Sequence, residues 1–449
     1  MHAIDGAKRC ASIDAGVRLQ CYGLIIIFQG LQLNKNIVLL WQGQLISQLG
    51  MQAYSIAMMF WFMENTNSSA LMSIIFTLSI LPSIFFGPIA GVIADQCSRK
   101  NIIIVTDLIR GTAVLVLSLT ILGEYGSQFF IIMLFAMVSV INGISRAFFQ
   151  PAVDAFIPDL VTTEKLSKTV AFFQSSTQCT TIIGQAMGGI LYRALGAPIL
   201  LLLDAISYFI SAFSESFIKY NFQEHKNRIG ISNKYKQHKA DLIEGLRYVK
   251  SCKGMLQTMI FASSINFFIA PIMLLLPFYI TGQLLEEAQW YGFLLAAMAL
   301  GSIFGYWLSA TINVQGNRRT FIMFASMFLF SCSLMLLSQT ESPKIALFGL
   351  FIAGLSLGVF NLQAMILFQK NTPTELRGRV MSLLMTISSG LLPLGLLIGG
   401  LLGTLTNNNT QLIFGLCSFS IGLLTIFTSF NLNIRNYMFN SESSGLSKA

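Results

Sequence analysis

The chain has 449 residues, of which 54% are hydrophobic and only 10% charged, with a mean hydropathy of +0.68 and a formal net charge of +9. Soluble domains carry roughly a quarter charged residues. This composition excludes the soluble classes, because such a chain has too little polar surface to offer water, whereas lipid can cover its apolar faces.

Residues 1–36 come first, as a polar extension. Lys8, Arg9 and Arg18 precede a short apolar stretch from Tyr22 to Phe28. No small-residue cleavage pattern follows, so the segment reads as a cytoplasmic tail or interfacial segment, and equally as the product of an upstream, misassigned start codon. Twelve apolar runs follow, predicted as helices at 37–61, 70–93, 102–123, 128–150, 168–191, 198–218, 255–280, 290–311, 320–338, 345–369, 379–403 and 412–431. Runs near 20 residues suffice to cross a hydrocarbon core of about 30 Å at about 1.5 Å per residue. The fourth is the least regular, because Asn142, Arg146 and Pro151 crowd its end. One long polar segment, 219–253, separates a first six-helix bundle (37–218) from a second (254–434), and residues 435–449 form a tail. The linker is rich in Lys and Arg and reads as a cytoplasmic segment beside anionic lipid.

Charge sets the orientation. With the N-terminus inside, Arg193 and Lys344 are the only basic residues in outward loops, which instead hold Glu64, Glu124, Glu286, Glu287 and Glu341. The positive-inside rule then places both termini in the cytoplasm, and the expected location is a bacterial inner membrane. The net charge thus reflects topology, and no nucleic-acid partner is expected. None of the seven cysteines lies in an outward loop, against a disulfide framework. His2, His225 and His238 all lie outside the runs, against an intramembrane metal site. No Gly-Lys-Ser/Thr nucleotide loop occurs, so no ATP drive and no cofactor are expected.

The two halves resemble each other. Glu164, Lys168, Gly184, Gly188 and Gly189 recur as Glu375, Arg379, Gly395, Gly399 and Gly400, and Ser207 and Tyr208 as Ser418 and Phe419, all 211 residues on. Arg99-Lys100 matches Arg318-Arg319 at an offset of 219. Duplicated six-helix halves are a hallmark of secondary transporters, which bind substrate between the repeats.

From about 34 to 434 the sequence resembles the major facilitator superfamily. Gly91-Val-Ile-Ala-Asp95-Gln-Cys-Ser-Arg99-Lys100 is similar to that family's loop motif between helices two and three, departing from it at Gln96 and Ser98. The resemblance implies a cytoplasmic gate at Gly91, Asp95, Arg99 and Lys100; a bare topology signal is the alternative. The fifth run is similar to the family's exporter motif, a helix-packing motif carried by Gly184, Gly188 and Gly189, with Gln185 where the motif has proline. Ser176, Thr180, Gly184 and Gly188 repeat every four residues and allow a close helix crossing. Asp107-Leu-Ile-Arg110, Arg146-Ala-Phe-Phe-Gln-Pro151-Ala, Leu203-Asp204-Ala-Ile-Ser207-Tyr208 and Glu375-Leu-Arg377-Gly378-Arg379-Val380 resemble the macrolide-efflux and enterobactin-exporter branch. A lysophospholipid flippase of the superfamily is similar at this level. Ser139 stands at the estimated place of the helix-four arginine of many proton-coupled members. The fold implied is all-α, with twelve transmembrane helices in two pseudo-symmetric six-helix bundles.

Ionisable groups in a bilayer are costly and tend to face a cavity or a partner. Asp107 and Arg110 share one helical face and can pair, as a structural ion pair or as part of transport. Asp204 has Gly415 as its repeat partner, so its carboxylate is an addition to one half only. It reads as a proton site, or as an aspartate ionised at the outer edge. Gln44, Ser47 and Gln48 on helix one, Arg146, Asn266 on helix seven and Asn361 with Gln363 on helix ten line a cavity or bond neighbouring helices. The expectation is a monomeric secondary active exporter of an amphipathic small molecule, a drug or a siderophore, driven by protons through alternating access. The alternative is a lipid or lysophospholipid flippase. An enzyme or receptor finds no catalytic histidine or sensor domain to support it.

Overall fold

The structure, a computed structural model, describes residues 34–94, 96–220, 243–311, 316–373 and 376–439. Most of the 1–36 extension, much of the 219–253 linker and the end of the 435–449 tail lie outside them, as do His2, His225, His238, Asp95 and Glu375. Among the described residues there is no strand.

The helices are α1 (Lys35–Thr66), α2 (Ser69–Ala94), α3 (Arg99–Leu122) and α4 (Gln128–Leu160). The next stretch, Thr163–Ser216, is 54 residues long and would reach about 80 Å unbroken. It is broken at Gly196, whose φ of 74° and ψ of 169° no L-residue adopts easily. The part before the break is α5 and the part after it α6. In the second half come α7 (Lys253–Phe278), closed by a π-turn at Tyr279–Gln283, then α8 (Gln289–Thr311), α9 (Gly316–Gln339) and α10 (Pro343–Lys370). Arg377–Gly390 and Leu392–Leu405 together make α11, and α12 is Thr410–Ser429. A short α13 (Leu432–Phe439) packs on the start of α7, where Tyr437 and Asn433 close over Gly254.

Side-chain caps start several spans: Ser127 Oγ accepts from Phe130 N (3.3 Å), and Asn409 Oδ1 from Leu412 N (3.0 Å). Among the described residues ten helical stretches are long and apolar enough to cross a membrane, and Thr163–Ser216, broken at Gly196, is long enough for two crossings. α1 falls short in hydropathy because Gln42, Gln44, Gln48 and Gln52 lie along it. The chain is an integral, multi-pass membrane protein.

α4 runs to Leu160, ten residues beyond the predicted end, with Pro151 and Pro158 inside it. Proline removes one backbone bond and clashes with the preceding turn, which reads as a stop in sequence. In membrane helices neighbouring groups compensate, so the helix continues.

The repeat register is a packing register. Cβ atoms added to Gly184 and Gly188 would meet Gln52 and Ile56 on α1; at Gly395 and Gly399 they would meet Phe267 and Pro271 on α7. Gly189 faces the backbone of Ala288 and Gly292 at the start of α8, and Gly400 faces Ser69 and Ser73 at the start of α2. Each glycine of one half thus meets the pseudo-symmetric partner helix. The seams α5–α8 and α2–α11 join the two halves, and both lie at the end bearing the loops after odd-numbered helices, the odd-loop face. Ser69 Oγ donates to Gly400 O (3.0 Å), Asn408 Nδ2 to Asn67 O (3.2 Å), and Arg193 pairs with Glu287 (2.5 Å) across the halves there. At the opposite, even-loop end the same helices have room: no neighbour lies within 4 Å of a Cβ at Gly87 or Gly91 on α2, or at Gly378 or Gly390 on α11. Among the described residues the cross-half bonds gather at the odd-loop face, and these four glycines towards the even-loop face have no such neighbour.

Candidate functional site

The first half buries an unbalanced set of charges. α3 contributes Asp107 and Arg110, three residues apart and so on one face. Their closest nitrogen and oxygen are 3.9 Å apart, too long for a hydrogen bond, so the pair is electrostatic. α6 contributes Asp204 and Glu215. Asp107 and Asp204 are fully buried, with Glu215 1% and Arg110 5% exposed. Arg110 is held between aromatic faces, its guanidinium carbon 4.6 Å from the Phe149 ring centre and 5.7 Å from that of Tyr208. Gln44 Nε2 donates to Glu215 Oε1 at 3.1 Å. Both carboxylate oxygens of Asp107 and of Asp204, Glu215 Oε2 and Ser211 Oγ lack a hydrogen-bond partner. Three acids thus face one buried arginine, and burying charge without compensation is costly.

Small residues let α1 press on this set. A Cβ at Gly50 would lie 2.6 Å from Asp204 Oδ1 and 2.1 Å from Ser207 Oγ. One at Gly43, two turns earlier, would lie 3.0 Å from Ser211 Oγ and 3.3 Å from Glu215 Oε1. Asp204 therefore does not sit at an outer edge: it is enclosed between α1 and α6. Arg146 on α4 stands within electrostatic range of Arg110 and Tyr208 while its side chain stays exposed. Ser139 faces Tyr54, their oxygens 3.5 Å apart.

The predicted polar residues divide. Gln44 and Ser47 are buried, Ser47 Oγ donating to Gln44 O (3.2 Å), and Gln48 is half-buried. Asn266 bonds helices, its Nδ2 donating to Ser388 O on α11 (3.1 Å), and Gln363 Nε2 donates to Ser309 Oγ on α8 (3.0 Å). Asn361 is exposed. Of the residues expected at the gate, Arg99 and Lys100 knit the first half together at its even-loop end. Arg99 pairs with Asp159 at 2.6 Å and donates to Ala155 O, while Lys100 Nζ donates to Ser216 O and Ile218 O at the end of α6. Tyr220 OH donates to Asp159 (2.8 Å), and burial together with this carboxylate pushes its phenol up to about 12.

Sequence reasoning missed Glu215 and Asp159. The signal for Glu215 was present: it follows Asp204 and Ser211 on one face of α6, and its repeat position is Ile426. At the odd-loop face, Phe60, Trp61, Glu64, Tyr192, Arg193 and Glu287 line a cavity of about 690 Å³, where Tyr192 OH donates to Glu64 (2.7 Å).

The model of the Major Facilitator Superfamily matches residues 40–395. The chain belongs to the Major Facilitator Superfamily. Among its relatives, this transporter is 27% identical to the macrolide efflux protein A of Streptococcus pyogenes over 81% of its own length and 88% of that protein's. It is also 27% identical to the macrolide efflux protein A of Enterococcus faecalis, over 71% of its own length and 97% of the relative's. The resemblance to the macrolide-efflux branch read from the motifs is thereby supported over 71–81% of the chain. Its fold matches a crystal structure of a bacterial homologue of the iron transporter ferroportin in an inward-facing state, with a TM-score of 0.65 at 15% identity, covering 88% of this chain and 99% of that one.

Proposed function

We propose that this transporter is a secondary active exporter of an amphipathic small molecule, and not an enzyme, working as a monomer by proton antiport and alternating access. The observation that carries the coupling is the buried charge set: three carboxylates against one buried arginine, in one half only. Groups with so little compensation are stable when one or more carries a proton, and a membrane carboxyl that gains and loses a proton can link a gradient to a conformational change. Asp204, Asp107 and Arg110 are the proposed coupling residues. Alternating access is supported by cross-half seams gathered at one face, with glycines free of neighbours towards the other. With the positive-inside orientation, the odd-loop face is external and the conformation faces inward. Arg146, Gln48 and Asn361 are the proposed cavity-lining groups, because their side chains are not sealed between helices. Gln44, Ser47 and Asn266 hold the wall behind them.

The macrolide-efflux relatives make a macrolide the first substrate to test. Inverted membrane vesicles given radiolabelled erythromycin and an acid-inside gradient are expected to accumulate it, and a protonophore to abolish the accumulation. Uptake that is indifferent to the gradient would overturn the antiport reading.

A further inference from the structure

We propose that protons reach the coupling residues through the interior of the first half, along one face of α6, with Glu215 as the terminal acceptor at the even-loop end. The proton route is then separate from the cleft between the halves through which the substrate moves. This inference rests on the antiport reading above.

The face is defined by spacing. Asp204, Tyr208, Ser211 and Glu215 follow one another at intervals of four, three and four residues, the period of a single helical stripe. All four are buried, so the stripe faces protein along its whole length. It spans eleven residues, a rise of about 16 Å. Glu215 ends it in the last turn of α6, beside the carbonyls of Ser216 and Ile218 that Lys100 caps.

The groups facing Glu215 come from three helices. α1 brings Gln44, whose amide donates to it, and Gly43, whose missing side chain lets the helix backbone pack close against it. Asp107 and Arg110 on α3 act on it electrostatically, and Ser211 lies one turn away on α6 itself. Asp107 stands towards the middle of the stripe, within electrostatic reach of both Asp204 and Glu215.

Unmet hydrogen-bonding capacity follows the same line. Asp204 Oδ1 and Oδ2, Asp107 Oδ1 and Oδ2, Ser211 Oγ and Glu215 Oε2 are buried with no partner in good hydrogen-bonding geometry, although Ser211 faces both Asp107 and Glu215. Buried polar atoms are nearly always satisfied, and water does so where protein does not. A chain of carboxyls, a hydroxyl and water molecules is a medium through which a proton hops: each step breaks one O–H bond and forms the next, with no net chemistry.

The second half has lost, or never had, the whole device. At the repeat offset Asp204, Tyr208, Ser211 and Glu215 correspond to Gly415, Phe419, Gly422 and Ile426, and Asp107 and Arg110 to Ser326 and Leu329. A feature needed only to pack α6 would have its counterpart in α12, as the glycines of α5 have theirs in α11.

The test has two arms on the purified full-length protein. In the first, which needs no substrate, infrared difference spectra between acid and alkaline pH are recorded. The wild type is expected to show a protonated-carboxyl band that Glu215→Gln and Asp204→Asn each diminish and that Glu215→Asp retains, shifted. A band unchanged in Glu215→Gln overturns the proposal. In the second arm, proteoliposomes take up erythromycin. Glu215→Gln is expected to lower gradient-driven accumulation about tenfold or more, with Ser211→Ala intermediate and counterflow down the substrate's own gradient reduced far less. Full gradient-driven accumulation by Glu215→Gln overturns the proposal, as does drive by a sodium gradient alone. A wild type that fails to take up erythromycin counts against the substrate reading, and the infrared arm then decides the proton route by itself.

Discussion

At the scale of single residues, two neighbours on α5 make contrasting predictions. A Cβ at Gly189 would lie 2.5 Å from the Ala288 carbonyl and 3.0 Å from the Gly292 nitrogen, both backbone atoms that cannot step aside. A Cβ at Gly188 would meet the tip of the Ile56 side chain, which can rotate away. Gly189→Ala is therefore expected to destabilise the seam by about 1–3 kcal/mol, and Gly188→Ala by roughly 1 kcal/mol or less. Melting temperatures of the two variants in detergent check this; equal shifts would refute the seam geometry. Gly188→Leu, whose side chain no rotation of Ile56 accommodates, is expected to abolish folding or transport. Asp204→Asn holds the neutral form permanently, so gradient-driven export should be lost at normal protein levels; full gradient-driven accumulation in vesicles would remove Asp204 from the coupling set. Asp204 was legible in the sequence because the repeat supplies its own control, Gly415. Glu215 escaped notice because it sits in the final turn of its run, where a carboxylate usually reaches water. It is buried because α1 packs against it through Gly43 and Gln44.

Individual helices were legible wherever hydropathy alone decides them, and their ends agree with the predicted runs to within a few residues except at α4. There the prolines misled, because the local rule against proline inside a helix is weaker where neighbours and lipid offer the backbone no alternative. Partnerships between helix ends were not legible, since they join residues far apart in sequence. The Arg99–Asp159 pair is such a case, tying the start of α3 to the end of α4. Both side chains are about a quarter accessible, so the pair contributes modestly, on the order of 1 kcal/mol or less. Asp159→Asn is expected to lower the melting temperature slightly while leaving insertion intact. A drop as large as that for Gly189→Ala would mean the pair is far less screened than its exposure implies. Asp95, proposed as a gate residue of the same loop, gives a different expectation: Asp95→Asn should slow transport at unchanged expression, and wild-type rates would discard the gate.

For the whole molecule, the exposed pair Arg193 and Glu287, one from each half, joins the packed seams in bridging the odd-loop face. Reversing one charge, Arg193→Glu, is expected to favour the open form of that face and to raise the labelling of a cysteine placed in the cavity beside Tyr192. The double exchange Arg193→Glu with Glu287→Arg should restore protection. If the single variant labels no faster than the parent, the pair is incidental to closure. Reporter fusions at Ala449 and within 219–253 test the orientation, and a periplasmic signal from either would reverse the assignment of the faces. The turn at Gly196 links these two regions of the protein. α5 carries the seam residue Gly189 and α6 carries Asp204, and a single residue joins them with no loop between. With no loop to take up slack, a tilt of α5 that parts the seam at α8 is expected to shift the first turns of α6 as well, and with them the carboxylate packed against Gly50.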